Sequence, residues 1–217
     1  MAGISKEKKR IAEIFDRFAA LTANPHTELV YSSPYTLLVS VVLSAQATDV
    51  SVNLATATLF KNADTPQAMV ELGEAGLIPF IARIGLFRTK ARNVVALSRI
   101  LLDQYGGKVP LDRQALQALP GVGRKTASVV LNELGVEAAI AVDTHVFRVA
   151  HRLGLSKANK PEQVEADLMR VVPPERRSRA HHWLILHGRY VCVARRPKCV
   201  ECLVSDLCPS RELFLGV

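Results

Sequence analysis

Residues 112–134 read DRQALQALPGVGRKTASVVLNEL and contain the most informative fold pattern in the chain. Two short helical patterns flank the turn LPGVG, whose glycines, Gly121 and Gly123, permit a tight backbone turn with outward N–H groups. The second helix begins directly after this turn, so its free N–H groups and the positive end of its dipole form a potential phosphate-binding site. Such a hairpin contacts a DNA backbone without reading the base sequence. The alternative is an ordinary helix-helix turn, which the full string LPGVGRKTA disfavours.

Apolar residues recur at three- and four-residue steps along most of the chain, whereas the alternation typical of strands is almost absent. This pattern predicts an all-α fold. Helix starts are marked at Ser33 and Thr65, because each is an N-cap residue followed by a proline, which is well tolerated at the first helical position. Short turns with Gly or Pro join most helices. The predicted helices cover residues 5–21, 49–60, 65–72, 75–84, 89–104, 112–118, 124–134, 144–153, 161–171 and 177–191. A further helix is predicted to begin at 33–34.

The chain of 217 residues has 28 Lys and Arg against 20 Asp and Glu, a net charge of +8. Residues 170–217 alone contain nine basic and four acidic residues. A basic end of this kind indicates a polyanionic partner such as nucleic acid, although solubility alone is the alternative explanation. The longest apolar stretch, 34–45, is far shorter than the roughly 20 residues of a membrane span, and the N-terminus lacks a secretory signal pattern. We expect a cytoplasmic protein with no membrane partner.

The cysteines are confined to the end of the chain, with the spacing C-x6-C-x2-C-x5-C, at positions Cys192, Cys199, Cys202 and Cys208. Disulfides are disfavoured in a reducing cytosol, whereas four thiolates so close in sequence can surround one metal centre. Zinc accepts four thiolates, and a 4Fe-4S cluster accepts one per iron. Zinc modules usually pair two short C-x2-C knuckles, and the single one here favours the cluster, with zinc as the alternative. Four unliganded cysteines are disfavoured because the segment is polar and basic.

The loop between the first two cysteines reads VARRPK and contains Arg195, Arg196 and Lys198. A loop closed at both ends by a metal presents cations to phosphates with little loss of conformational freedom. A redox role for the metal is the rival interpretation. The position of the cysteines at the chain end, among cations, favours a structural role.

Two further residues are candidates for catalysis. Lys125 begins the helix after the glycine turn, where the helix dipole and the adjacent Arg124 disfavour an ammonium ion and so favour a nucleophilic amine. The alternative is that Lys125 is one more phosphate contact. Asp143 in AVDTH precedes an apolar-periodic helix and is expected to be its N-cap. A carboxylate there also suits the stabilisation of a cationic transition state or the acceptance of a proton from Lys125, and the two roles are compatible.

The segments LPGVGRKTASVVLN, AVDTHVFRV and HHWLILHGRYVC, together with the cysteine spacing, resemble the endonuclease III family of helix-hairpin-helix DNA glycosylases. The resemblance runs in order from residue 4 to residue 208. It implies a two-domain α fold, with a six-helix barrel at 27–136 that carries the helix-hairpin-helix at 112–134. It further implies a discontinuous domain, 1–26 with 137–217, that holds one 4Fe-4S cluster per chain, and a DNA groove between the two domains.

By the same resemblance, Lys125 attacks C1′ of a flipped, oxidised pyrimidine nucleotide, and Asp143 assists the expulsion of the base. The resulting imine permits β-elimination, which breaks the strand 3′ to the lesion. The protein is thus expected to be a bifunctional DNA glycosylase and abasic-site lyase of base excision repair. It would act as a monomer on damaged double-stranded DNA and associate with the nucleoid. Base extrusion is required because C1′ is inaccessible inside an intact duplex.

The resemblance also implies a set of DNA contacts. Gln46 matches the residue that fills the hole left by the flipped base, and Leu86 matches the wedge beside the opposite strand. The alternatives are a polar helix-end residue for Gln46 and a core residue for Leu86. Phe87-Arg88 stands where many relatives have Tyr-Asn, a departure that bears on opposite-base preference or on the range of lesions. Besides the cations of the cysteine loop, the other residues expected to contact DNA are Arg88, Leu119, Gly121, Val122, Gly123, Arg124 and His145.

Three rival functions fit the sequence less well. A monofunctional adenine mismatch glycosylase shares the fold and the cluster, but such enzymes generally lack a lysine at the position of Lys125 and have a further C-terminal domain. This chain has Lys125 and ends nine residues after Cys208. A non-enzymatic DNA-binding protein with a structural metal would leave Lys125 and Asp143 without a purpose. An iron-sulfur electron carrier fits neither the charge nor the hairpin.

Overall fold

The computed structural model of the chain describes residues 2–215 and, in the first helix, side chains from Lys6 onward. Within 2–215 it contains α-helices, two 3-10 helices and no strand, so the prediction of an all-α fold is confirmed. The α-helices are α1 (Ala2–Leu21), α2 (Pro34–Ser44), α3 (Asp49–Leu59), α4 (Pro66–Ile81), α5 (Phe87–Tyr105), α6 (Arg113–Gln117), α7 (Arg124–Glu133), α8 (Thr144–Arg152), α9 (Pro161–Val171), α10 (Arg177–Tyr190) and α11 (Glu212–Leu215). The 3-10 helices are Pro174–Arg176 and Ser205–Leu207.

The helix starts read from the sequence have the expected caps. The Ser33 hydroxyl accepts a hydrogen bond from the Thr36 amide at 3.2 Å, and the Thr36 hydroxyl accepts one from the Ser33 amide, which forms a capping box. Thr65 caps α4 in the same way, and its hydroxyl accepts from the Ala68 amide at 3.2 Å. Each cap satisfies an N–H group that the first helical turn would otherwise leave without a partner.

The chain divides into two compact units, each with its own apolar core. The hairpin unit is Thr27–Val136 and contains helices α2 to α7. Its fully buried side chains include Leu38, Leu97 and Leu101. The cysteine unit joins Met1–His26 to Glu137–Val217, and its core is built around Phe15 and Leu184. A buried face on each helix accounts for the periodicity of the sequence.

Several helix boundaries differ from the sequence prediction by a few residues. The two helices predicted at 65–72 and 75–84 correspond to the two parts of α4, which are separated by the non-helical backbone of Gly73, with φ of 65° and ψ of 175°. The predicted break at this glycine is therefore correct, and the second part ends at Ile81 rather than at residue 84. Helix α5 begins at Phe87 rather than at residue 89, and α11 was not predicted. A single helical turn such as α11 is too short to show periodicity.

Within residues 2–215, each helix is either too short or too polar to cross a membrane.

Candidate active site and metal centre

The turn of the helix-hairpin-helix is held in place by two of its own side chains, which are buried. Asp112 caps α6, and its carboxylate accepts a hydrogen bond from the Ala115 amide at 2.8 Å. Leu119 and Val122 are 3% and 5% exposed, and the Val122 amide donates to the Leu119 carbonyl at 3.0 Å. Both residues are therefore anchors of the turn, with their side chains in the core, and only their backbone groups are suited to contact DNA.

The two glycines of the turn differ in whether the local structure requires a residue without a side chain. Gly121 has a φ of +80°, and a Cβ there would lie 3.0 Å from the Asn93 Nδ2 and 3.3 Å from Val42 Cγ1. The fold therefore requires glycine at this position. Gly123 has an extended backbone, with a φ of −87°, and a Cβ there would meet no atom within 4 Å. No atom of the protein requires glycine at 123, and the position is open to the approach of an external group.

Lys125 is the second residue of α7, directly after Gly123 and Arg124. All three are exposed. The N–H groups of the first helical turn and the positive end of the dipole face an anion that approaches this end of α7. An exposed amine at the same end can thus meet a substrate that is held by its phosphates.

Asp143 is the N-cap of α8, as expected. Its Oδ1 accepts hydrogen bonds from the amides of His145 and Val146, both at 2.8 Å. Two short bonds fix the orientation of the half-buried carboxylate. The start of α8 also packs closely on α10, because a Cβ on Gly188 would lie 2.9 Å from the Cβ of His145. The His145 ring is oriented by Arg148, whose Nη2 is 3.2 Å from its Nδ1.

Three residues other than glycine have positive φ within 2–215, and each was a candidate DNA contact: Gln46 (55°), Leu86 (60°) and Arg196 (53°). The Gln46 carbonyl oxygen lies 3.8 Å from where a Cβ on Gly85 would be, so Gln46 and Leu86 lie on adjacent loops. Leu86 is 61% exposed, and the alternative that it is a core residue is wrong. Left-handed backbone costs non-glycine residues about 1–3 kcal/mol, and this strain is concentrated at functional sites.

Arg88 lies in the first turn of α5, beside the Leu86 loop, and is exposed. Its guanidinium carbon is 5.5 Å from the centroid of the Phe87 ring. The stack fixes part of the arginine side chain while its N–H donors stay in solvent. Position 88 therefore presents a positive charge next to Leu86.

The four cysteines of the cysteine segment (residues 192–208) line one cavity, which opens to solvent. All four thiols are half-buried. Burial raises the pKa of the Cys202 and Cys208 thiols, and the charges of the neighbouring cysteines raise it further. Four thiolates in this space repel one another, so a cationic centre is needed to hold them together.

Within residues 2–215, no three Cys, His, Asp or Glu side chains form a group suited to a single metal ion. An iron-sulfur cluster requires instead that the thiolates surround a shared space, one per iron. The cavity bounded by Cys192, Cys199, Cys202 and Cys208 fits that requirement. When bound, the cluster links the four thiolates and cross-links the segment.

Two arginines of α8 hold the start of the cysteine segment. Arg148 Nε donates to the Cys192 carbonyl at 3.0 Å. The two terminal nitrogens of Arg152 donate to the carbonyls of Val193 at 2.8 Å and Ala194 at 3.0 Å. Sequence reasoning missed both arginines. The available signal was their spacing of four residues, which places two cations on one face of α8.

Two arginines of α1 hold the other end of the segment. Arg10 Nη1 donates to the Leu207 carbonyl at 2.7 Å. Arg17 Nη1 donates to the Leu203 carbonyl at 2.9 Å, and the guanidinium pairs with Asp206 through bonds of 2.6 and 3.0 Å. This ion pair lowers the pKa of Asp206. Guanidinium groups thus replace the regular backbone pairing that a helix or sheet would supply.

The loop cations lie between the first two cysteines, at the surface. Arg195, Arg196 and Lys198 are exposed, and the Lys198 amide closes the loop by donating to the Val191 carbonyl at 3.0 Å. The loop is therefore closed at its base and presents three positive charges.

Comparison with known proteins places these features in one family. The sequence model of the HhH-GPD superfamily base excision DNA repair protein matches residues 39–174, and that of the iron-sulfur binding domain of endonuclease III matches residues 192–208. The chain is 54% identical over 205 residues to endonuclease III of Escherichia coli (strain K12), covering 94% of this chain and 97% of that protein. Endonuclease III of Rickettsia conorii is 54% identical over 202 residues, 93% of each chain.

The fold agrees with solved structures of the same class. A trapped endonuclease III-DNA covalent intermediate, in an estranged-adenine complex, matches with a TM-score of 0.89 and 43% identity, covering 96% of this chain and 98% of that one. The fold and the two sequence matches thus define a helix-hairpin-helix base excision repair protein with an iron-sulfur domain. Within that class, the chain belongs to the endonuclease III family.

Membership of the family settles several predictions. The protein is a DNA glycosylase and abasic-site lyase of base excision repair that binds DNA, and it carries a 4Fe-4S cluster. The prediction that the cysteines bind an iron-sulfur cluster, and not zinc, is confirmed. The adenine mismatch glycosylase is not favoured.

Proposed function

We propose that Lys125 is the nucleophile of the reaction and that the substrate is an oxidised pyrimidine nucleotide extruded from double-stranded DNA. The observation that carries the proposal is the position of Lys125. It is exposed at the second residue of α7, beside Gly123, where the protein leaves open space. Phosphates that approach the start of this helix would bring the sugar of the neighbouring nucleotide within reach of an amine.

The proposed reaction has four steps: displacement of the base, formation of the imine, β-elimination and hydrolysis. The lone pair of Lys125 Nζ forms a bond to C1′, while the N-glycosidic bond breaks and its electron pair leaves with the base. The nitrogen loses one proton, and its lone pair then forms the C1′ imine while the bond from C1′ to the ring oxygen breaks and that oxygen is protonated. The imine acidifies the C2′ proton, whose removal by a base expels the 3′ phosphate oxygen and cleaves the strand. Water then hydrolyses the imine and restores the amine.

Asp143 is proposed to stabilise the positive charge that develops on the sugar as the base departs, and to accept the proton that Lys125 releases. Support comes from its fixed carboxylate, held by the amides of His145 and Val146. An acceptor held in one orientation before the reaction needs no reorganisation during it. Asp143 is then both a helix cap and a catalytic residue.

Gln46 and Leu86 are proposed to occupy the duplex where the extruded nucleotide was, Gln46 in the vacated space and Leu86 beside the opposite strand. Their support is the adjacency of their loops and the strained backbone at both residues. A side chain that replaces stacking offsets part of the cost of extrusion. Arg88 is proposed to contact the opposite strand next to Leu86.

The remaining contacts are proposed to bind phosphates. They are the turn amides from Leu119 to Gly123, and the side chains of Arg124, His145, Arg195, Arg196 and Lys198. We assign the unit at 27–136, with its six helices, as the barrel domain and residues 1–26 with 137–217 as the iron-sulfur domain. The protein is proposed to act as a monomer and to associate with the nucleoid through its affinity for DNA.

Borohydride trapping on a duplex with thymine glycol or an abasic site tests the nucleophile. The wild type should give a permanent protein-DNA adduct on Lys125, because borohydride reduces the imine to an amine. Lys125→Gln should lose both trapping and strand cleavage while it keeps the cluster and most DNA binding. Arg124→Gln is the matched control, since it removes the adjacent charge and leaves the amine. It should weaken binding and still trap.

Two outcomes would contradict the proposal. Trapping by Lys125→Gln would assign the nucleophile to another amine. Base release by the wild type without trapping or strand cleavage would assign it to water.

A further inference from the structure

The chain after the last cysteine returns to the cavity of the metal centre. Ser210, Arg211 and Phe214 line the same cavity as the four thiols. This return is built from turns, since the Arg211 amide donates to the Cys208 carbonyl at 3.2 Å and the Phe214 amide donates to the Arg211 carbonyl at 3.1 Å. The last described residues are thus tied to a cluster ligand through two successive backbone bonds.

Phe214 covers the guanidinium of Arg152. The guanidinium carbon lies 4.4 Å from the centroid of the phenyl ring. The donors at the edge of the same guanidinium are directed at Val193 and Ala194, and Nη1 also lies 3.5 Å from the Cys192 sulfur. Arg152 therefore contacts a cluster ligand with its edge and Phe214 with its face.

The exposure of the residues in α11 shows which side of it faces the cavity. Leu213 is 79% exposed and does not line the cavity, whereas Phe214 is 39% exposed and does. An aromatic ring at the mouth of a solvent-open cavity reduces the access of water and dissolved oxygen to what lies inside. Solvent access and hydrogen bonds to the sulfurs are among the properties by which a protein tunes an iron-sulfur cluster.

We propose that Phe214 shields the iron-sulfur cluster: stacked on Arg152, it closes part of the cavity mouth and keeps the Arg152 guanidinium at the Cys192 sulfur. The shield lengthens the lifetime of the cluster in the presence of oxygen and of iron chelators. Phe214 is then a protecting residue, separate from the residues that contact DNA. Arg152 positions a ligand of the cluster.

The experiment measures cluster loss in the purified holoenzyme. Wild type, Phe214→Ala and Leu213→Ala are prepared without oxygen and matched for iron content and thermal unfolding. The visible absorbance of the cluster is then followed in air and, separately, with an iron chelator. Phe214→Ala should bleach several-fold faster than the wild type in both conditions. Leu213→Ala, which removes apolar surface from the same helix away from the cavity, should bleach at the rate of the wild type. A wild-type rate for Phe214→Ala would overturn the proposal.

A double-mutant cycle with Arg152→Lys tests the stack itself. Lysine keeps the charge but loses the planar face on which the ring lies. If Phe214 acts through this contact, Phe214→Ala should accelerate bleaching much less in the Arg152→Lys background than in the wild type. Equal acceleration in the two backgrounds would contradict a shield built on Arg152.

Discussion

The hairpin at 112–134 and the cysteine segment at 192–208 are both proposed to contact DNA phosphates, yet different forces hold them. The hairpin is fixed by buried apolar side chains, Leu119 and Val122, and by the close packing of Gly121 on its own unit. In the cysteine segment only Val204 is fully buried, and the backbone is held by guanidinium groups from other helices. The first depends on the hydrophobic effect, and the second on polar contacts and a metal.

This difference predicts which parts of the molecule should respond to loss of the cluster. A segment with little apolar burial has little free energy to offset its conformational entropy, so it needs cross-links. The arginines satisfy its carbonyls, but they hold the ends of the segment rather than its middle. The hairpin should keep its structure without iron.

Loss of a cluster ligand should have the largest effect. Cys199→Ser should lower the iron content sharply and raise amide hydrogen exchange in 192–208 by about tenfold or more, because the cross-link is lost. Exchange in the hairpin should not change. DNA affinity should fall because Arg195, Arg196 and Lys198 lose their fixed positions. Val200→Ser, at an adjacent position that is 87% exposed, is the control and should retain iron and affinity. An affinity maintained without iron would show that the segment does not contribute to binding.

The two glycines of the hairpin should separate folding from binding. Gly121→Ala should lower the free energy of unfolding by about 1–3 kcal/mol, since it combines a positive φ with a close contact. Gly123→Ala should change stability by less than about 1 kcal/mol but weaken DNA binding, because the added methyl group occupies the space for a phosphate. Chemical denaturation and titration with undamaged duplex measure the two effects. Normal affinity for Gly123→Ala would remove this amide from the interface.

The charge on the cysteine loop should appear in the salt dependence of binding. Arg196→Gln should reduce the slope of log affinity against log salt by about one and weaken binding several-fold, with similar losses on damaged and undamaged duplex. Arg170→Gln is the matched control. Arg170 belongs to the same unit, and its guanidinium already pairs with Asp167 at 2.6 Å. Identical slopes for the two variants would exclude Arg196 from the interface.

A buried lysine in the hairpin unit should give the smallest effect. Lys90 is 5% exposed, and its ammonium nitrogen has no hydrogen-bond partner among the described residues. Lys90→Met should raise the free energy of unfolding by about 1 kcal/mol, which corresponds to roughly 2–4 °C in Tm. Iron content should stay at the level of the wild type. A lower Tm would show that the amine makes a stabilising contact in solution.

The gain from Lys90→Met should depend on pH. Burial lowers the pKa of Lys90, so the unfolded chain binds a proton more readily than the folded one between the folded-state pKa and the ordinary value of 10.5. The stability of the wild type should therefore rise with pH across that window. The difference between the two proteins should be largest below the window and shrink as pH approaches 10.5. A difference independent of pH would assign the gain to packing alone.

The sequence alone determined the all-α class, the caps at Ser33 and Thr65, the glycine turn and the cysteine motif. These features depend on neighbours within a few residues, since periodicity, capping and ligand spacing are local. The break at Gly73 was predicted for the same reason, and the structure has a non-helical backbone there.

Tertiary structure decided what depends on residues distant in sequence. The burial of Leu119 and Val122, the adjacency of Gln46 to the Leu86 loop and the stack of Phe214 on Arg152 join segments that no short pattern connects. The four arginines are the clearest case. The sequence analysis assigned no role to Arg10, Arg17, Arg148 and Arg152, because an arginine has the same local pattern whether its donors meet water or the carbonyls of a distant loop. Only the fold selects between those partners.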